Sequence, residues 1–98
     1  MSKSEVAKLL RSVIADCLRR SGREMPQIGS EKKIIDGVAG FDSLCGLEAT
    51  IDLELHLGVS LEDNVFIKEV LGRPRARTFG EVLTALLTIL NGGSNAGK

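Results

Sequence analysis

The hydrophobic pattern predicts an amphipathic helix at each end of the chain. Near the N-terminus, Ser2 and Glu5 form a capping-box pattern, after which apolar residues recur three and four positions apart. Towards the C-terminus, Thr78 and Glu81 form a second capping box, and apolar residues again recur at helical spacing. Because an amphipathic helix must bury its apolar stripe, we expect both helices to pack on a common core.

The middle of the chain carries a more ambiguous pattern. From Leu47 to Leu61, apolar and polar residues alternate, which is the period of a β-strand. The residues are nevertheless mostly Leu, Glu and Ala, which favour a helix, and β-branched residues are few. Asp42 is a good N-cap and Gly58 suits a helix C-terminus. We therefore predict a helix from Asp42 to Leu57, with a β-strand as the alternative.

As a helix, this middle segment has two apolar stripes on roughly opposite sides. At about 100° per residue, one stripe holds Leu44, Leu47, Ile51 and Leu55, and the other holds Ala49, Leu53 and Leu57. If one stripe faces the core, the other is exposed and bordered by acids, which is typical of a protein-docking surface. The bordering acids are Glu48, Asp52 and Glu54. Burial of both stripes between neighbouring helices is the alternative.

The remaining segments complete the predicted fold. Residues 24–40 have the glycines of a long loop, which Ile34 and Ile35 are expected to anchor to the core. A short helix is predicted from Glu62 to Leu71, ended by Gly72 and Pro74. The predicted fold class is all-α, a small four-helix bundle of three longer helices and one short helix. The domain spans residues 1–90, and 91–98 have the composition of a flexible tail.

Composition and charge narrow the classes of function. The net charge is zero and Trp and Tyr are absent, which argues against nucleic-acid binding. No apolar run approaches the length of a membrane span, and Cys17 and Cys45 indicate neither a disulfide framework nor a metal site. We expect a cytoplasmic monomer. Between Ile34 and Ile67 there are acids but no Lys or Arg. This acidic block is interpreted either as a surface that steers basic partners or as an ordinary set of solvated charges.

The start of the middle helix carries the candidate chemistry. Ser43 follows the capping Asp42, so its hydroxyl lies in the first turn of the helix. The free backbone N–H groups and the positive end of the helix dipole at this position favour a phosphate ester on the hydroxyl. If Ser43 is modified in this way, the protein is a carrier and not an enzyme. Nothing in the sequence forms an acid–base or nucleophile–base pair, so we predict no catalytic residues.

The order of these features resembles the acyl carrier protein family. The resemblance covers most of the chain: the first helix, the long loop, the motif Gly40-Phe41-Asp42-Ser43-Leu44, the turn Leu57-Gly58-Val59, a short third helix and the start of the last helix. Asp-Ser-Leu alone is a weak signal, because many capped helices begin in this way. The complete order of features is much more specific.

The resemblance implies a function and a set of sites. Ser43 would be esterified by 4′-phosphopantetheine, whose thiol holds an acyl or aminoacyl group as a thioester. Asp42 would cap the helix and help to position the phosphopantetheinyl transferase, and Gly46 would leave space around the arm. The implied partner-binding residues are Leu44, Leu47, Glu48, Ile51, Asp52 and Glu54. The implied partners are the transferase, a loading ligase and downstream acyl-transferring enzymes, in fatty acid or secondary metabolite biosynthesis.

Departures from the family's pattern suggest a specialised, stand-alone carrier. Many carriers of fatty acid synthesis have an acid two residues after the serine, where this chain has Cys45. A basic stretch, Arg73 to Arg77, precedes the last helix. Cys45 is expected to be inert, although its place near a helix N-terminus could lower its pKa. The alternative function is a helical interaction module that is never modified and docks through Leu44, Leu47 and Ile51.

Overall fold

The computed structural model describes residues 2–61 and 64–91, which form three helices and one two-stranded hairpin. The elements in chain order are α1 (Lys3–Arg20), α2 (Ser43–Leu57), β1 (Ile67–Val70), β2 (Arg73–Ala76) and α3 (Phe79–Leu90). Helix α1 packs against both α2 and α3. The predicted tail lies outside the described residues, apart from Asn91, which caps α3.

The predicted starts of the three longer helices are confirmed. The Glu5 N–H donates to the Ser2 hydroxyl (3.2 Å) and the Ser2 N–H donates to the Glu5 carboxylate (2.7 Å), which completes the capping box of α1. Thr78 and its partner three residues on form the same box at α3. Helix α2 begins after Asp42 and ends at Gly58, whose φ of 67° suits a residue without a side chain. The strand alternative for this segment is therefore wrong.

The predicted fold class is wrong, because a hairpin replaces the short third helix. Residues 64–71, the described part of the predicted helix, contain a turn followed by β1. Strand β2 pairs with β1 in antiparallel register, with Ile67 opposite Ala76 and Val70 opposite Arg73. Glu62 and Asp63, where the predicted helix began, lie outside the described residues. The protein is a three-helix domain with a β-hairpin and not an all-α four-helix bundle.

The hairpin has a physical reason in its turn and its base. Leu71 and Gly72 form a two-residue turn in which both have positive φ, 55° and 76°, as hairpin turns that match the strand twist require. At the base, the Arg77 N–H donates to the Phe66 carbonyl (2.9 Å). The Phe66 ring packs against the Phe41 ring, with 5.2 Å between the two ring centroids. The Arg77–Phe66 hydrogen bond and the ladder between β1 and β2 give this segment backbone partners without a helix.

The core is mostly aliphatic with three buried phenylalanines, and the long loop between α1 and α2 contributes to it. Residues Ile28, Ile34, Ile35 and Val38 are all buried together with the apolar stripes of the helices. The Ile34 N–H donates to the Arg77 carbonyl (3.3 Å), which joins the loop to the strand that leads into α3. The predicted anchoring of the loop is thus confirmed, and it fixes the position at which α2 begins.

Candidate functional site

Ser43 is exposed in the first turn of α2. Its hydroxyl forms no hydrogen bond with any residue in the described ranges 2–61 and 64–91. The preceding Asp42 accepts a hydrogen bond from the Cys45 N–H (3.0 Å) through Oδ1. This bond holds the pKa of Asp42 below its usual 3.8, since it stabilises the carboxylate. The site therefore presents a free hydroxyl beside an ionised carboxylate at the positive end of a helix.

Four large apolar side chains are exposed on the same helix. Their exposed fractions are 62% for Leu44, 40% for Leu47, 56% for Ile51 and 77% for Leu55, and we call this set the α2 apolar face. On the other side of the helix, Ala49 and Leu53 are completely buried. The expectation that one stripe packs into the core and the other is exposed is confirmed. A contiguous apolar face of this kind is typical of a binding surface.

The acids that border the α2 apolar face differ in their surroundings. Glu48 is exposed and forms no ion pair within the described residues. Asp52 forms an ion pair with Arg20 of α1 (3.2 Å), and Glu54 accepts a hydrogen bond from the Leu61 N–H (2.7 Å). The roles of all three in partner binding stay predictions. Of the three, only Glu48 has a carboxylate with no ion pair or hydrogen bond to another described residue.

The space beside Gly46 is filled by another side chain of the protein. A Cβ atom at this position would lie 2.7 Å from both Nδ2 and Oδ1 of Asn64, so the glycine makes room for that carboxamide. The Asn64 Nδ2 group donates to the Ser43 carbonyl (3.1 Å), and Oδ1 accepts from the Phe66 N–H (3.0 Å). Asn64 thereby joins the start of α2 to the base of the hairpin.

Thr50 makes the second connection between α2 and the segment before β1. It is a buried polar side chain, 1% exposed, and its hydroxyl donates to the Gly46 carbonyl at 2.7 Å. The same oxygen accepts a hydrogen bond from the Val65 N–H at 3.0 Å. Neither Thr50 nor Asn64 is among the site residues that the sequence predicts. The signal that could have found Thr50 is a polar residue on the buried stripe of a helix, which requires a partner from elsewhere; Asn64 lies outside the helices and has no such signal.

The two cysteines are free and buried, and burial makes their thiol groups inert. Burial raises the pKa of the Cys45 thiol, so its place near the helix N-terminus does not activate it. The thiol group lies 3.5 Å from the Gly40 carbonyl. Burial also raises the pKa of Cys17, in spite of the nearby Arg20 guanidinium. Neither thiol is thus a candidate nucleophile.

The described residues contain neither a metal-binding cluster nor a membrane-spanning helix beside this site. Across residues 2–61 and 64–91, no three His, Cys, Asp or Glu side chains come together as a metal-binding group. None of the helices in those ranges has the length and apolar character that a bilayer span needs. The side chain of His56, the one histidine, is exposed, and its Nδ1 lies 2.8 Å from the Asp52 carbonyl.

Comparisons with protein-family models, with curated proteins and with solved structures found no match to this chain. Two features of the site bear on function: a free hydroxyl at the start of α2, and an apolar face that runs along the same helix.

Proposed function

We propose that this protein is a carrier that holds an acyl or aminoacyl cargo on a 4′-phosphopantetheine arm attached to Ser43 and delivers the cargo to partner enzymes. The observation that carries this proposal is the placement of an exposed, unbonded serine hydroxyl at one end of the α2 apolar face. The arm supplies a thiol at the end of a flexible chain, on which the cargo is held as a thioester. The protein itself then needs no catalytic group.

The chemistry of Ser43 fits this role. Its hydroxyl has no partner within the described residues that would have to be displaced before a phosphate could be attached. The first-turn N–H groups and the helix dipole favour the negative charge of a phosphodiester at this position. Asp42 is ionised at neutral pH, as any aspartate with the usual pKa of 3.8 would be, and its hydrogen bond with Cys45 lowers its pKa further. We assign Asp42 the added role of positioning the transferase, by way of that enzyme's metal ion.

The α2 apolar face supplies a docking surface next to the attachment point. Ser43 lies at the first turn and Leu55 at the last, so an enzyme that reaches Ser43 from solvent passes along the helix that bears the face. Apolar residues at the centre of an interface supply most of its affinity, whereas bordering charges mainly change the rate of encounter. We therefore assign binding to Leu44, Leu47 and Ile51, and steering to Glu48.

The partners in this proposal are a phosphopantetheinyl transferase, a loading ligase and enzymes that take the acyl group onward. One structural difference bears on which enzymes these are. The family resemblance implies a short helix between α2 and the last helix, where this chain has the hairpin β1–β2. The hairpin base contacts α2 next to Ser43 through Asn64, so an enzyme adapted to the helical form meets a different surface there. This difference supports a dedicated set of partners.

A second candidate function rests on the α2 apolar face alone. Four exposed apolar residues would serve equally well in an interaction module that carries no prosthetic group. The free hydroxyl of Ser43 favours the carrier, because docking through the face does not require a serine at this position.

Intact mass distinguishes the two candidates. The full chain is treated with a phosphopantetheinyl transferase, together with Ser43→Ala and, as a matched control at another exposed serine, Ser60→Ala. We expect one added prosthetic group on the parent and on Ser60→Ala, and none on Ser43→Ala. Circular dichroism should show that Ser43→Ala folds like the parent, because the hydroxyl is exposed and makes no hydrogen bond with the described residues. A parent chain left unmodified by several transferases would favour the interaction module.

A further inference from the structure

We propose that the tip of the hairpin binds the surface of an anionic lipid bilayer, with Leu71 inserted among the headgroups and Lys68, Arg73 and Arg75 set against their negative charges. This surface is separate from the α2 apolar face, and the proposal does not depend on the modification of Ser43.

Leu71 is the first observation. Its side chain is 98% exposed, the largest exposure among the exposed apolar residues of the described chain. Its φ of 55° lies in the left-handed region, which is unfavourable for leucine because the Cβ atom crowds the backbone. Asn-Gly is the common sequence for a turn with positive φ at both central residues. Leucine thus neither packs in the fold nor suits its turn, which indicates that its contact lies outside the chain.

The three cations are the second observation. In the register of the hairpin, Lys68 faces Arg75 and Val70 faces Arg73, so the three cations share one side of the sheet. All three are exposed, and none forms an ion pair within residues 2–61 and 64–91. Two residues of strand, or about 7 Å, separate the two cross-strand pairs. A bilayer that touches the tip would therefore lie within about one Debye length of every cation.

Among the described residues, the carboxylates near these cations compensate their positive charge only in part. The pKa of Glu81 lies below its usual 4.5 chiefly because its carboxylate accepts a hydrogen bond from the Thr78 N–H, with a smaller contribution from Lys68 and Arg75. That carboxylate caps α3 and keeps its negative charge, which offsets part of the charge of Lys68 and Arg75. Glu69 alternates with Lys68 along β1 and points to the other side of the sheet, opposite Pro74.

The arrangement favours a lipid surface over a protein partner. The centre of a protein interface is a cluster of apolar side chains, as on the α2 apolar face. The hairpin instead presents one fully exposed apolar side chain at its extremity, with cations behind it and a half-buried Val70. Apolar insertion combined with attraction to anionic lipids is how peripheral proteins bind bilayers. With one inserted residue and three cations, we expect weak and reversible binding.

Co-sedimentation with vesicles tests the proposal on the full chain. The probes are vesicles of phosphatidylcholine alone and vesicles with about one third phosphatidylglycerol, at low salt. We expect the parent to bind the anionic vesicles only. The double variant Arg73→Glu/Arg75→Glu should bind these vesicles about tenfold or more weakly than the parent. Lys32→Glu/Lys33→Glu is the matched control, because it changes the net charge equally at exposed lysines outside the hairpin. Equal losses in the two double variants, or no preference for anionic vesicles, would overturn the proposal.

Insertion of the tip is tested separately. The chain contains no Trp, so Leu71→Trp places a single fluorophore at the tip. We expect its emission to shift to shorter wavelength with anionic vesicles, whereas Leu71→Asn should bind several-fold more weakly and remain at least as stable as the parent. An unshifted emission would show that the tip does not insert, and would overturn the proposal. If both vesicle types leave the parent unbound while Arg73→Glu/Arg75→Glu slows loading by a protein partner, the hairpin contacts protein instead.

Discussion

The two sides of α2 carry the same kinds of residue in opposite surroundings. Leu53 is completely buried in the core, whereas Leu55, two residues further on, is 77% exposed. Because successive residues turn about 100° around a helix, an alternating sequence places its apolar residues on two opposite sides. One side of α2 therefore contributes to the stability of the fold, and the other is available for binding.

Truncation of one leucine on each side should have very different effects on stability. Leu53→Ala should lower the free energy of unfolding by about 2–5 kcal/mol, because it leaves a cavity in the core. Leu55→Ala should change it by no more than about 0.5 kcal/mol, because its side chain is mostly in water in the folded state as well. Urea unfolding of both variants measures the difference. Similar losses in the two variants would show that the division of α2 into two sides is wrong.

The buried side also contains a polar contact that should be costly to remove. Thr50→Val keeps the shape of the side chain but leaves the Val65 N–H without its partner, and we expect a loss of about 1–3 kcal/mol in the free energy of unfolding. Thr50→Ser retains the hydroxyl, so its free energy of unfolding should fall much less. The same urea unfolding experiment compares them. If Thr50→Ser is less stable than Thr50→Val, the hydrogen bond is not what Thr50 contributes to stability.

The exposed side should show its effects in kinetics and not in stability. Glu48→Lys should slow loading by a partner enzyme, with a deficit that shrinks as salt rises, because the charge acts on the rate of encounter. Ile51→Ala should weaken binding with little dependence on salt, because it removes apolar contact. Loading rates across a salt series measure both effects. A deficit in Glu48→Lys that does not change with salt would contradict electrostatic steering.

The smallest expected effect is the pH dependence of the cap that begins α2. The pKa of Asp42 is lowered in the folded state by its hydrogen bond with Cys45, so the cap stabilises the fold above the usual pKa of 3.8 and loses this contribution as pH falls through the folded value. Asp42→Asn keeps a capping residue that does not titrate. Between about pH 5 and pH 3, the thermal midpoint of the parent should fall further than that of the variant. Parallel curves would show that Asp42 contributes nothing to the acid sensitivity.

The three helices could be predicted because their signals are local. Ser2 with Glu5, and Thr78 with Glu81, are capping boxes within four residues, and each forms as the pattern predicts. The hairpin could not be predicted in the same way. Its turn has Leu71 where Asn is usual, so the strongest short-range signal of a hairpin is absent. The contacts that fix its base join residues far apart in the sequence.

The candidate site could be predicted in part for the same reason. The exposure of Ser43 and of the α2 apolar face follows from one cap and the period of one helix. The role of Gly46 could not be predicted, because Asn64, which fills the space beside it, comes from a segment 18 residues further along the chain. The ion pair of Asp52 with Arg20 likewise joins two helices. Such long-range contacts depend on the packing of the whole fold.

The mass of the protein recovered from the cells that produce it tests the carrier proposal most directly. If Ser43 carries the arm in its natural setting, the intact mass exceeds that of the bare chain by one 4′-phosphopantetheine group, with or without a bound cargo. Fragmentation of the recovered protein then places the added group on Ser43. Recovery of the chain with Ser43 unmodified throughout, from cells in which other carriers are modified, would contradict the proposal.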